Sequence, residues 1–441
     1  MTIAALIDAA TRQAVAGETA RRALAVHVAD ALVCLVKAAP LAEARAIGRF
    51  YGRDHAMQAA SAAAIIRMSE YDSIHVPTCL SPDAVIVPVA LSLASDFETF
   101  AAACETGATV GLWLAQAIGG VDALERGVWP TLFAAPAMAA VTAGTAMKLG
   151  ADDLAHALAI ALAGSSGRLG RPAGAPSGRW LSVGEATLKG VRAADAASQG
   201  FRGDLGLISP AWLRGQGAAS NELPVLPGDG STLSRIGLKP YVAARQGMNA
   251  LTAFLQAADG LDAGAIDAIV VELPAQCLPV VTRPLDRDDR LSRIANLKLR
   301  IAIAALDRSR LHDADARVRE GDPALRLAER VEIGGATAEL PSGEGVFWPA
   351  RVRVRSGGAW REAVCLRGPG DDGDLAVAEC VLGTKLGRLE DADLARRLAL
   401  VQAGLHEAKG DALAKARAVF DHILGQVSEP TAGEDRPRRL A

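Results

Sequence analysis

Apolar residues recur at three-to-four spacing from the start of the chain to about Gly230, broken at glycines and prolines, which predicts a long series of helices. One of them opens with Asp152 and Asp153 near its amino end and runs apolar to Gly164. His156 within it reads as a hydrogen-bonded core or interface histidine rather than a ligand. The pattern changes near Lys239. Ala265 to Leu273 and Arg330 to Ile333 read as strands. Phe347 to Arg355 and Trp360 to Leu366 read as a hairpin across Ser356-Gly357-Gly358-Ala359, because glycine supplies the positive φ such turns need. A helix, Arg293 to Leu306, lies between these strands. Helical spacing returns from about Asp374 to Leu424, and the polar, proline-containing end, Ser428 to Ala441, predicts a disordered tail. The order helical, mixed, helical predicts a mainly α protein in which an α+β domain is inserted into a discontinuous helical one.

Composition sharpens this picture. A chain of 441 residues has room for two to three domains at about 100–200 residues each. Half the residues are hydrophobic and only 4% aromatic, with much of the apolar half alanine, which favours helices whose backbones approach closely. The longest uncharged run, Gly127 to Met147, has about the length of a bilayer span. Pro130, Pro136 and three threonines interrupt it, so a buried helix is expected and no membrane partner. The first residues lack the basic-then-apolar order of a secretory signal, and a cytoplasmic location is the expectation. Lys plus Arg (47) nearly balance Asp plus Glu (50), so the global basic excess that nucleic-acid binding needs is missing. Six scattered cysteines and seven scattered histidines show neither C-x-x-C pairs nor H-E-x-x-H spacing, which disfavours zinc and disulfides. Walker and G-x-S-x-G signatures are absent, and Gly164-Ser165-Ser166-Gly167 reads as a helix break.

Polar chemistry concentrates in three segments. Arg67 to Pro82 gathers Glu70, Asp72, His75, Cys79 and Ser81 at the end of an Ala/Ile helix, where a burial-raised carboxylate or a tuned imidazole can move protons at neutral pH. A solvated helix end is the plain alternative. Gly167 to Pro172, continuing through Arg179 to Ala186, places arginines beside glycines at a helix entry, suited to holding a carboxylate. Leu238 to Gln246 sets Lys239 and Arg245 at the junction of the two regimes, where a cleft can close on an anion. Ordinary surface charges would explain both equally well.

Together and in this order, these segments resemble the MmgE/PrpD family, which includes 2-methylcitrate dehydratases and cis-aconitate decarboxylases. Glu70 to His75 sits where that family shows an acidic D-F-D-D-T stretch, and Pro82 to Pro88 looks like its P-S-x-x-V-x-P region. Ala134 to Leu149 resembles its small-residue helix, and Gly178 to Gly203 its K-x-L-x-x-G-x-A…G-F-x-G stretch. Lys239-Pro240-Tyr241 with Arg245 is similar to K-P-Y-x-x-C-R-x-x-H, and Asn296 to Asp307 to the S-L-x-Y-x-x-A helix. The resemblance spans nearly the whole chain. It implies a large all-helical domain from residues 1–236 and 372–441 and a smaller α+β lid at 237–371. It also implies a homodimer, no metal or organic cofactor, and small polycarboxylate substrates that lose water or carbon dioxide after proton transfer next to a carboxylate.

The departures point away from the standard reactions. Glu70 replaces the leading Asp, Ser73 and Ile74 stand for the second acid and the threonine, and Ser81 and Ser182 stand for histidines. Trp129-Pro130 takes the place of an H-P pair, Arg179 that of a lysine, Gln246 and Met248 those of histidines, and Leu299 that of a tyrosine. What survives is cationic: Arg179, Lys239 and Arg245, with Arg67 as a possible addition. A divergent lyase or isomerase on a small carboxylate is therefore the expectation. Asp72 would orient His75 as the acid/base pair, Glu70 would be a second acid, and Arg179, Lys239 and Arg245 would hold carboxylates and stabilise an enolate-like charge. Cys79 and Ser81 are expected as pocket lining or proton donors. The competing expectation is a binding or assembly protein that keeps the fold and has lost the chemistry.

Overall fold

The computed structural model describes residues 2–12, 17–52, 54–168, 178–220, 222–225, 228, 230–335, 340–341, 345–370 and 373–428. The polar tail expected after Ser428 and the Leu169–Pro172 part of the arginine loop lie outside them.

Small residues decide how the first helices pack. Pro130–Ala146 carries proline at its first position and is buried on every side, so it has no polar face to show to water. It lies between Phe97–Ala117 and Gly178–Ser198. A Cβ on Gly107 would come within 2.0 Å of Thr142 Oγ1, and one on Gly190 within 2.3 Å of the Pro136 carbonyl. Only glycine permits these approaches. The uncharged run that matched a bilayer in length is thus the centre of a helical core. Among the described residues no single helix is long and apolar enough to cross a membrane.

Polar residues mark where helices start. Asp54 accepts from Met57 N at 2.9 Å ahead of His55–Met68, and Asp96 accepts from Thr99 N at 2.8 Å ahead of Phe97–Ala117. The expected helix at 293–306 is two pieces, Arg290–Ala295 and Leu297–Leu306. Asn296 breaks it by taking an extended conformation and capping Leu299 N at 2.9 Å. Beyond residue 374, Leu375–Leu386, Ala392–His406 and Ala412–Ser428 fold back onto Glu18–Ala38 and its neighbours. One hydrophobic core therefore draws on both early and late chain, from Ile3 to Val427.

The second core contains a four-stranded mixed sheet of order β2-β1-β3-β4. Its strands are β1 (Ile266–Leu273), β2 (Val331–Gly335), β3 (Ala350–Ser356) and β4 (Ala359–Cys365). The β1–β2 pair is parallel, so the chain crosses over between them through Leu297–Leu306. The other pairs are antiparallel, and Gly357 and Gly358, both at positive φ, close the β3–β4 hairpin. Met248–Ala257 covers β3 and β4 on one face.

The two cores interlock. Ile74 and Val76, from the early chain, belong to the sheet-side core, while Leu238 and Val242 belong to the helical one. An isolated bridge joins them: Ile74 N donates to Gly237 O at 2.8 Å, and Gly237 N to Ile74 O at 3.1 Å. That bridge lays the segment carrying Lys239 against the acidic turn.

Candidate active site

Helix His55–Met68 ends at Ser69, whose hydroxyl donates to Ile66 O and accepts from Tyr71 N. The chain then turns sharply, with Glu70 in the left-handed region at φ 54°. This turn points Glu70 and Asp72 toward Arg67 and Lys239. Arg67 Nη1 is 3.0 Å from Asp72 Oδ1 and 3.4 Å from Glu70 Oε2, and Lys239 Nζ is 3.2 Å from each of the same two oxygens. All four side chains are buried. Burial alone would raise the Glu70 carboxyl, but the charges of Arg67, Lys239 and Arg179 outweigh it and bring Glu70 down to about 2.

A second layer is aromatic. The Arg67 guanidinium carbon lies 5.1 Å from the Trp129 ring centre and 5.5 Å from that of Trp180, and Arg179 lies 4.7 and 4.6 Å from the same rings. The indoles meet edge to face at 6.2 Å. Trp129, in the place of an expected histidine, thus supplies a π surface that holds two guanidiniums. Burial lowers Arg179 to about 10, and among the described residues no carboxylate lies within ion-pair distance of it. Its buried Nε has no hydrogen-bond partner.

Arg245 comes from the sheet side. Its Nη1 donates to Asn249 Oδ1 at 3.2 Å, and Asn249 is pinned by donating to the Phe347 and Leu366 carbonyls. The Arg245 guanidinium sits 5.8 Å from the Trp348 ring centre, and burial lowers it to about 10. Behind the turn, Lys385 Nζ donates to Tyr71 O at 2.7 Å and pairs with Asp30 at 2.5 Å, all within the helical core.

These groups converge on a cavity of about 1220 Å³ lined by Arg67, Glu70, Cys79, Arg179, Lys239 and Arg245. Three lining residues, Glu70, Cys79 and Trp348, hold left-handed backbone without being glycine, which costs roughly 1–3 kcal/mol each. Such strain persists only where surrounding contacts fix it. Two further lining acids, Asp122 and Glu125, are exposed, so cations dominate the buried end. Burial, stronger than the nearby cations, raises the Cys79 thiol to about 11, which leaves it protonated and a potential donor.

Three expected residues do not face the cavity. Asp72 does not orient His75: its Oδ1 is taken by Arg67 and Lys239, and its buried Oδ2 has no hydrogen-bond partner. His75 instead meets Thr78 Oγ1 through Nδ1 at 2.8 Å, and burial with nearby Arg235 lowers it to about 4, hence neutral. The physical reason is pairing: Asp72 is held by Arg67 and Lys239, while His75 is held by Thr78. Ser81 is buried elsewhere, its backbone N donating to Thr131. Trp348 and Asn249 escaped sequence reasoning, although Phe347-Trp348-Pro349 in an aromatic-poor chain was a usable signal. His156 contacts the Gly203 backbone through Nδ1. Among the described residues no cluster of three or more His, Cys, Asp or Glu is arranged to hold a metal ion.

A mostly helical body with a small mixed sheet thus carries a buried, largely cationic cleft where the two cores meet. Residues 14–222 match the sequence model of the MmgE/PrpD N-terminal domain, which supports membership of the MmgE/PrpD family. Members of that family are generally lyases of the dehydratase type. No curated protein matches the chain.

Proposed function

We propose that this chain is a divergent lyase or isomerase that acts on a small-molecule carboxylate without metal or organic cofactor. The observation that carries this reading is the convergence of Arg67, Arg179, Lys239 and Arg245 with one buried carboxylate, Glu70, on a single cavity. Arg179 and Arg245 would hold substrate carboxylates through their N–H edges. Lys239 and Arg67 would stabilise the negative charge that builds up when a proton leaves the carbon next to a carboxylate. Glu70 is the base within reach. Bound substrate anions would offset the cations that now hold it at about 2, and so raise its basicity in the complex. Lys239 or the Cys79 thiol would return a proton, and elimination, decarboxylation or isomerisation would complete the turnover. Residues 237–371, which carry Lys239, Arg245 and Trp348, would act as a lid on a helical body formed by 1–236 and 372–441. A cytoplasmic homodimer without nucleic-acid or membrane partners belongs to the same reading.

The test is proton–deuterium exchange, followed by NMR, on a panel of di- and tricarboxylates. Exchange next to a carboxylate that disappears in Glu70→Gln and Lys239→Met, but survives in His75→Asn, supports the proposal; exchange indifferent to Glu70 and Lys239 overturns it. One observation favours a second reading: Glu70 and Asp72 are both already neutralised by Arg67 and Lys239, as in a binding protein that has lost its chemistry. That reading predicts binding of carboxylates with no exchange at all.

A further inference from the structure

We infer that the substrate of this site is a carboxylate bearing a bulky aryl body, rather than a compact polycarboxylate. The inference rests on the proposed function, since it names what occupies the same cleft. Pockets that enclose drug-sized ligands typically span about 300–1,000 Å³. At about 1220 Å³ this cavity exceeds that range, and a citrate-sized acid would leave most of it filled with water.

The cavity is also divided chemically. Its cations gather where Arg67, Arg179, Lys239 and Arg245 meet, with Arg283 also on the lining, whereas Val280, Leu291, Ile294, Val346 and Phe347 contribute apolar wall. A polycarboxylate gains nothing from that wall and would lose hydration against it. Aromatic rings are scarce in this chain, at 4% of residues, yet Trp129, Phe347 and Trp348 all line this one cavity. Two of the three rings stand beside an arginine, Trp129 with Arg179 at 4.7 Å and Trp348 with Arg245 at 5.8 Å. Each pairing sets an anion-binding guanidinium beside an apolar ring. A ligand with a carboxylate attached near an aromatic ring satisfies both at once, because ring faces and edges pack favourably on indoles and the carboxylate reaches the adjacent guanidinium. The buried Arg179 Nε without a partner is a donor awaiting such a group.

Isothermal titration calorimetry of the full chain with succinate, citrate and 2-benzylsuccinate tests this. Benzylsuccinate is expected to bind at least about tenfold more tightly than succinate, because its ring enters the apolar half. Val280→Asn, at a half-buried wall position, should remove most of that advantage while leaving succinate affinity within about twofold. Arg179→Met should weaken both acids. Equal affinity for succinate and benzylsuccinate, or an advantage untouched by Val280→Asn, overturns the substrate class while leaving the cationic site intact. Failure of every acid to bind overturns the class and the proposed function together.

Discussion

Lys239 Nζ stands 3.2 Å from Glu70 Oε2 and 3.2 Å from Asp72 Oδ1, so one buried ammonium ties together the two carboxylates of the turn after helix His55–Met68. Removing one partner of a buried ion pair strands the other charge. Lys239→Met is expected to lower unfolding free energy by about 3–5 kcal/mol in urea titrations. A loss below about 1 kcal/mol would show that Arg67 alone holds the turn.

Glu70 makes stability depend on pH at the acid end. Its ordinary value is 4.5 and in the fold it lies at about 2. A depressed carboxyl contributes its full stabilisation above 4.5 and loses it as pH falls toward 2. The contribution is roughly 3 kcal/mol. Wild type minus Glu70→Gln stability should therefore rise between pH 2 and 4.5 and stay level above; a difference that is flat across that window would contradict the ionic role.

His75 acts over a higher window. Buried and neutral, it falls from 6.5 to about 4, so between those values the unfolded chain binds a proton that the folded chain does not. Stability is lost as pH drops from 6.5 toward 4. His312, lowered to about 4 mainly by burial, adds to the same trend. His75→Asn should flatten the pH profile of thermal unfolding in this range, and an unchanged slope would argue against a buried neutral imidazole.

The close helix contacts yield a matched pair of substitutions. Gly190→Ala would push Cβ into the Pro136 carbonyl and the Ala139 side chain at 2.3 and 2.5 Å, and is expected to destabilise by about 1–3 kcal/mol. Gly383→Ala, in Leu375–Leu386, meets nothing within 4 Å and should stabilise by up to about 1 kcal/mol through helix propensity. Melting temperatures that move the same way for both would refute this account of packing.

Much of this architecture was legible in the residues, and the limits have physical causes. Alternation marked β1 to within one residue, paired glycines located the β3–β4 turn, and prolines in the 127–147 run argued for burial in protein. Those signals are local. The split at Asn296 was missed because cap and interior positions share one apolar spacing. In the site, five of the side chains singled out in the sequence, Glu70, Cys79, Arg179, Lys239 and Arg245, line one cavity. Side-chain direction was not legible: nothing in the order of Asp72 and His75 reveals that they diverge. That outcome depends on Lys239, 167 positions away from Asp72.

The bond from Lys385 to the Tyr71 carbonyl has a consequence in time. It spans 314 residues, and Lys385 is also the countercharge of buried Asp30. At about 5–20 residues per second on the ribosome, the acidic turn waits roughly 15–60 s for the lysine that completes its support. Until Lys385 emerges, Asp30 lacks its countercharge and the Tyr71 carbonyl its donor, and water stands in for both.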